Sequence, residues 1–326
     1  MYEHTYSIGV DLGGTKIEAA LIDSTGKIDQ RLFFETRVAD GSAAIVSDIV
    51  RGIKQLKKKS NGSVLGVGLG TAGQIEKMTG VVKFSPNLHW HNVALQADLS
   101  RSLELPVIVT NDVRAATYGE WLHGSGEGYE DLLCIFVGTG IGGGIVSGGH
   151  LLTGCSNAAG EIGHMTIDLH GPKCTCGNFG CFEALASGWA IGEQARKAVQ
   201  KHSSEGKTIL SLADGKLDKV SAKFVFQAAR QDDELAKKIV EEAGEVLIAG
   251  VAGLVNAFNP KRVIMGGGVI QGWPEYVAKV KEGVAKRALK AAVEPLEIVE
   301  SKLHGDAAVI GAAALALRST FQDGGK

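Results

Sequence analysis

The chain has 326 residues, with 44% hydrophobic and 21% charged side chains and a formal net charge of −2. That length accommodates two domains of ordinary size, and the composition is that of a globular protein. No run of 18 or more apolar residues occurs, which excludes a transmembrane helix, and the lack of a polybasic face argues against nucleic acid as the main partner.

In chain order, the opening MYEHTYSIGV carries no apolar signal segment, so the protein is expected in the cytoplasm with its five cysteines reduced. Residues 6–15, YSIGVDLGGT, read as an apolar strand entering a Gly-rich turn, which returns as a second strand, IEAALID, at 17–23. A turn at Asp23–Gly26 leads to the strand-like RLFFETRV. Residues 41–59 place Ile45, Ile49, Ile53 and Leu56 at helical spacing, and Lys57–Lys59 close that helix where cations suit its dipole. PVIVT at 106–110 reads as a strand, with a domain boundary expected just after it near Asn111 and Asp112, before the helix VRAATYGEWL. LLCIFVGTGIGGG at 132–144 repeats the strand and Gly turn, and KRVIMGGGV at 261–269 is a third case. Two such hairpins roughly 125 residues apart suggest a duplicated fold. Residues 233–258 form a long helix, apolar all round toward its end and stopped by Asn259-Pro260, and 306–318 form an Ala-rich helix with Asp306 as N-cap.

Several of these segments carry chemistry. DLGGTK at 11–16 suits a phosphate cradle: consecutive glycines expose backbone N–H groups, Thr15 and Lys16 add a hydroxyl and a charge, and Asp11 at the strand end could hold Mg²⁺ through water. The spacing is not that of a Walker loop, and a plain hairpin turn is the alternative. GTGIGG at 138–143 matches the dinucleotide pattern, and Glu161 lies about 20 residues on, but the strand-like IVSGGHLLTG follows where a helix is required. A second phosphate hairpin, with Thr139 and Gly140 facing the nucleotide, fits better. Asp112, at the end of a strand, is placed either as a general base or as the N-cap of the next helix.

The densest signal is GHMTIDLHGPKCTCGNFGCFE, at 163–183. Cys174, Cys176 and Cys181 with one imidazole complete a tetrahedral zinc shell, and Gly177 and Gly180 let the chain double back. The fourth ligand is His164 or the nearer His170. A disulfide with a spare thiol is the alternative, disfavoured by the reducing compartment and by the closeness of Cys174 to Cys176. A closed shell leaves no position for a reacting water, so the zinc is structural and fixes a loop bearing Glu161, His164 and Glu183. Cys134 and Cys155 are expected to be unligated.

Taken together, these residues resemble the ROK family of sugar kinases and related repressors, and most closely its glucokinase type, over nearly the whole chain. DLGGTK resembles the first phosphate motif, GTGIGGG the second, MGGGV at 265–269 the adenosine motif, TNDVRAATYGE the catalytic segment, and GEIGHM followed by CTCGNFGCFE the zinc signature. The resemblance implies an actin-like, hexokinase-type (RNase H-like) fold of two α/β domains with ATP in the cleft between them. The expected boundaries are residues 1–111 plus 304–326 for the small domain and 112–303 for the large, zinc-bearing one. Asp112 is then the base that takes a proton from the sugar. Gly73, Asn87, Asn111, Glu161, His164 and Glu183 hold the other hydroxyls. Asp11, Gly13, Gly14, Thr15, Lys16, Thr139, Gly140, Gly267 and Gly268 serve Mg-ATP. The ten-residue interval from histidine to first cysteine favours His164 as the zinc ligand beside Cys174, Cys176 and Cys181. A homodimer or homotetramer is implied.

The chain departs from the family pattern at two places. Ala72 stands in GTAGQIE where proline is common, which implies a looser sugar-facing loop. Val113-Arg114 replaces a small residue and Asn, with Arg114 either a surface residue or one that alters substrate choice or a nearby anion contact. The phosphate motif begins at Asp11, which leaves no room for a repressor's DNA-binding domain and favours a kinase. The expected reaction is ATP-dependent phosphorylation of glucose at its 6-hydroxyl. Its rivals are the same chemistry on N-acetylmannosamine, N-acetylglucosamine, mannose or fructose, a non-catalytic sugar sensor, and an acetate-kinase-like enzyme.

Overall fold

The computed structural model describes residues 5–201 and 205–323. Its packing forms two compact units. The first comprises the chain up to Tyr129, His150–Gly160 and the chain from Lys302; the second comprises Glu130–Gly149 and Glu161–Ser301.

The first unit contains β1 (Thr5–Leu12), β2 (Lys16–Asp23), β3 (Ile28–Glu35), α1 (Gly41–Lys59), β4 (Ser63–Thr71), β5 (Gln74–Ile75), β6 (Val82–Ser85), β7 (Trp90–Val93), α2 (Leu95–Leu103), β8 (Val107–Asn111), α3 (Asp112–His123) and a C-terminal helix, Ala307–Asp323. Its main sheet has the order β3-β2-β1-β4-β8. The hairpins β1–β2 and β2–β3 are antiparallel, and β1, β4 and β8 run parallel. Side chains alternate across a strand. Ile8, Val10 and Leu12 therefore share one buried cluster with Ile45, Ile49, Ile53 and Leu56 of α1. The helical spacing read from sequence is the stripe that this sheet face covers.

The opposite face is built from absent side chains. Gly9 of β1 and Gly68 of β4 are register partners. A Cβ on Gly9 would overlap the Val309 carbonyl, and one on Gly68 the Ala312 carbonyl, so the C-terminal helix lies on the sheet backbone to backbone. The same helix meets α3 as closely, since a Cβ on Gly119 would strike the Ala307 carbonyl and one on Gly311 the Ala115 carbonyl. Alanine is frequent there because larger side chains would hold these elements apart. Gly68→Ala should therefore lower unfolding free energy by about 3 kcal/mol, the upper end for overpacking, in urea titrations read by circular dichroism. A loss under about 0.5 kcal/mol would show that the helix shifts freely.

The second unit contains β9 (Leu132–Val137), β10 (Ile141–Ser147), α4 (Phe182–Ala186), α5 (Gly188–Lys201), α6 (Lys207–Leu212), α7 (Ala222–Ala229), α8 (Glu234–Phe258), β11 (Arg262–Gly266), α9 (Gly268–Gly272), α10 (Glu275–Arg287), α11 (Lys290–Val293) and β12 (Glu297–Glu300). Here β9 pairs antiparallel with β10 and parallel with β11, which pairs parallel with β12. The surroundings of β9 thus repeat those of β1, with an antiparallel hairpin partner on one side and a parallel strand on the other. This is the duplication that the two Gly hairpins suggest. Among the described residues no helix is long and apolar enough to cross a membrane.

Three expectations differ from what is found. The third Gly segment is a strand-to-helix turn, with Gly267 at φ 92° before α9, because a Cβ there would run into the backbone of Val137. Asp306 lies in a 3-10 turn, His304–Asp306, and both its oxygens accept from the Arg31 guanidinium, at 2.9 and 2.7 Å, instead of capping the last helix. The packing units divide after Tyr129 and not after Asn111, since the close packing of α3 on the C-terminal helix keeps α3 in the first unit.

Candidate active site

In the first unit the chemistry gathers at the carboxyl ends of the parallel strands, where open α/β sheets place ligands. Register rows run Asp11–Gly70–Thr110 and Leu12–Thr71–Asn111 across β1, β4 and β8. The β1–β2 turn is closed by the Gly13 N–H donating to the Lys16 carbonyl at 3.0 Å. Buried Thr36, which sequence reading passed over, anchors this turn. Its hydroxyl donates to the Gly13 carbonyl at 2.7 Å, and its N–H donates to the Thr15 carbonyl at 3.0 Å. Thr71, also buried, donates to the Leu12 carbonyl at 3.2 Å. Asn87, in the 3-10 turn Pro86–Leu88, lies against Gly14: a Cβ on Gly14 would sit 3.3 Å from the Asn87 Cβ. A sugar-contact candidate and the phosphate turn are thus neighbours.

Asn111 is the N-cap of α3, with its Oδ1 accepting the Arg114 N–H at 3.1 Å. Asp112 is released from that task; its Oδ1 accepts the adjacent Val113 N–H at 2.9 Å, and its carboxyl also takes its own backbone N–H. Burial raises the Asp112 carboxyl above the ordinary carboxylate range. Asp11 is pushed up to about 7, by burial first and then by the charges of Asp112 and Glu18, with Lys16 opposing. Glu18 is its cross-strand partner, as the β1–β2 register sets the two opposite each other. Asp11, Glu18 and Asp112 thus crowd negative charge at this end of β1.

That crowding has a cost for the metal-free protein. A carboxyl whose folded pKa is raised loses stability as pH climbs from its unfolded value toward 7, so the ionised form strains the fold at pH 8. Asp11→Asn in EDTA at pH 8 should raise the melting temperature by about 2–4 °C, corresponding to about 1 kcal/mol after allowance for solvent screening. The same variant should bind Mg-ATP more weakly. An unchanged melting temperature would mean that solvent already relieves the charge.

In the second unit a compact knuckle carries the sulfurs. Cys174 N–H donates to the Asn178 carbonyl at 2.7 Å and Gly177 N–H to the Cys174 carbonyl at 3.0 Å. Gly177 and Gly180 sit at φ 94° and 64°, values open to glycine, and a Cβ on Gly180 would overlap the Asp168 carbonyl. Ligand atoms of His164, Cys174, Cys176 and Cys181 all lie within 4.8 Å of one another. His164 Nδ1 is 3.8 Å from Cys174 Sγ, and Cys176 Sγ is 3.7 Å from Cys181 Sγ. A tetrahedral zinc with Zn–S near 2.3 Å sets its ligand atoms about 3.6–3.8 Å apart, so the residues fit the ion. Burial raises the Cys181 thiol, and the neighbouring sulfurs of Cys176 and Cys174 add to the rise, so an uncompensated thiolate is disfavoured there. A cation removes that penalty. His170 lies outside the group, which leaves His164 as the imidazole.

Glu183 has a second attachment that sequence reading missed. Its Oε2 accepts the Ile141 N–H at 2.9 Å, and its Oε1 accepts the Thr175 hydroxyl at 3.4 Å. A Cβ on Gly140 would overlap Glu183 Oε2. The Gly188 and Trp189 N–H groups donate to the carbonyls of Gly138 and Thr139, at 2.8 and 3.1 Å. The second Gly hairpin therefore rests on the segment that leaves the sulfur knuckle. Thr139 is exposed at its tip, and Gly268 opens α9 with free space where a side chain would stand. Glu161 precedes the 3-10 turn Ile162–His164, His164 ends it, and both are exposed.

This arrangement has close relatives. The chain is 37% identical over 309 residues to a glucokinase of Thermotoga maritima, covering 94% of this chain and 96% of that one. It superposes with a TM-score of 0.82 on a Streptomyces griseus ROK glucokinase solved with glucose and AMPPNP, at 33% identity and covering 96% and 99% of the two chains. For a ROK hexokinase of Thermus thermophilus the TM-score is 0.85 at 30% identity, covering 97% and 99%. The fold is the actin-like ATPase fold of these kinases. The ROK family model matches residues 7–319, and the chain belongs to the ROK family.

Proposed function

We propose that this protein transfers the γ-phosphoryl group of ATP to a hexose, with glucose as the acceptor at its 6-hydroxyl. The observation that carries the reading is Asp112. Its carboxylate stands at the end of a parallel strand, is freed from helix capping by Asn111, and has a raised proton affinity. A base of that kind can take the hydroxyl proton as the phosphoryl group leaves. The relatives named glucokinase, and the Streptomyces griseus structure holding glucose and AMPPNP, support glucose in particular.

Asp112, Asn111, Asn87, Gly73, Glu161, His164 and Glu183 are the residues proposed to hold the sugar. His164 uses Nδ1 toward the sulfurs, which leaves Nε2 for a sugar hydroxyl. Zinc at His164, Cys174, Cys176 and Cys181 supplies no chemistry; it holds that imidazole and Glu183 in place. Gly13, Gly14, Thr15 and Lys16 cradle phosphate, joined by Thr139 and Gly140, while Gly267 and Gly268 take the adenosine. Asp11 would hold Mg²⁺ through water, and the ion would supply charge stabilisation at the phosphates. The transition state is loose, so positioning and charge stabilisation account for most of the rate. We place the enzyme in the cytoplasm as a homodimer or homotetramer.

ADP release from Mg-ATP tests the reading against glucose, mannose, fructose, N-acetylglucosamine and N-acetylmannosamine. Strong glucose-dependent release is expected. Preference for an N-acetyl sugar would keep the mechanism and replace the substrate. Silence on every sugar from folded, zinc-loaded protein would leave a sugar sensor.

A further inference from the structure

Arg114 is 7% exposed, although it lies in the first turn of α3, two residues from Asp112. Burying a guanidinium is costly unless its donors are satisfied, so its partners show where it is aimed. It does not turn to the catalytic carboxylate. Its Nη1 donates to the Asn157 Oδ1 at 2.7 Å, and its Nη2 donates to the carbonyls of Asn157 and Ala159, at 3.0 and 3.4 Å. The planar fork of Arg matches such a divided set of acceptors, and a lysine cannot reproduce it.

Asn157 passes the contact on. Its Nδ2 donates at 2.8 Å to the carbonyl of Ile75, in the short strand β5 that follows Gly73. A few residues earlier, the Thr153 hydroxyl accepts from Lys77 Nζ at 3.1 Å. Asn157 itself sits at φ 63°, a left-handed conformation that Asn tolerates, which turns its amide between the two neighbours. Residues 153–159 are therefore strapped on one side to β5 and Lys77 and on the other to the start of α3. Every group in this chain of contacts belongs to the first unit.

We propose that Arg114 and Asn157 form a latch that fixes the loop bearing Gly73 relative to Asp112, and so sets the affinity for the hexose. Arg114 is a positioning residue, acting through Asn157 and Ile75 and not by touching the sugar. The latch gives the loop at Ala72-Gly73 the rigidity that alanine does not supply. The inference rests on the hexose-kinase reading above, and the wild-type enzyme tests that reading before any variant is made.

Asn157→Asp separates the two halves of the latch. The carboxylate still accepts from Arg114 but has no donor for the Ile75 carbonyl. It should raise the KM for glucose about tenfold, leave the KM for ATP within about twofold, and leave the melting temperature no lower than wild type. Arg114→Lys should raise the glucose KM by at least as much and lower the melting temperature as well. A merely structural role predicts the reverse pattern, in which both KM values follow the loss of stability. The latch is overturned if Asn157→Asp keeps a wild-type glucose KM, or if the KM for ATP rises equally. Should the wild-type enzyme prefer another hexose of the panel, the same split is read on that sugar. Should calorimetry find that wild-type protein binds no hexose, both readings fall.

Discussion

Replacing Asp112 with alanine should lower kcat on glucose by about 10²–10⁴-fold, the span over which a general base contributes. The variant is informative because the carboxylate does little for the fold. The helix cap belongs to Asn111, and Asp112 itself accepts its neighbour's N–H and its own. Burial holds its proton affinity up, so its removal should leave the melting temperature unchanged or slightly higher. Glucose affinity, measured by calorimetry without turnover, should be largely retained. The wild-type pH profile carries the same signature. Proton abstraction needs the ionised form, so kcat/KM should fall on the acid side, over a range displaced upward from that of an ordinary carboxylate. An Asp112→Ala protein that keeps more than about a tenth of wild-type kcat would remove Asp112 from the role of base.

Stripping the zinc proposed at His164, Cys174, Cys176 and Cys181 should raise the glucose KM by more than about 100-fold while the protein stays folded. Structural zinc in small finger peptides contributes about 10–16 kcal/mol to folding, but there the ion orders the entire chain. Here the proposed ion would order one knuckle beside a sheet with its own core. The tie from Glu183 to the Ile141 N–H adds an expectation that the metal ligands alone would not give. Once the knuckle loosens, the second Gly hairpin loses a support, and the KM for ATP should rise too, by less than that for glucose. Cys181→Ser should reproduce both effects, with the metal content read by atomic absorption. Zinc-free protein of normal kinetics would show that the loop holds its shape unaided.

How much of this was legible beforehand depended on how far each signal reached along the chain. The α1 stripe of Ile45, Ile49, Ile53 and Leu56 and the two Gly hairpins are local patterns, and they stand as read. The grouping of His164 with the three cysteines was also readable, since the knuckle brings together residues within twenty positions. What failed or was missed involves distant partners. Gly9, Gly68 and Gly119 look like turn or filler residues until a helix some 300 residues after β1, itself carrying Gly311, is laid against them. Asp306 has the composition of a cap, but Arg31 claims it from 275 positions away. Asp112 was the cap that the sequence offered for α3, but its neighbour Asn111 takes that place. Thr36, Asn157 and the Ile141 contact of Glu183 carry no motif at all.

The seating of the last helix on Gly9 and Gly68 also governs the order in which the protein can be made. The sheet of the first unit leaves the ribosome early, yet the face formed by those glycines stays bare until residues beyond Ala307 have emerged. The second unit, Glu130–Ser301 apart from the inserted segment, is fully translated before that point. The unit begun first is therefore completed last, and during the interval its nascent strands present open backbone to chaperones or to neighbouring chains.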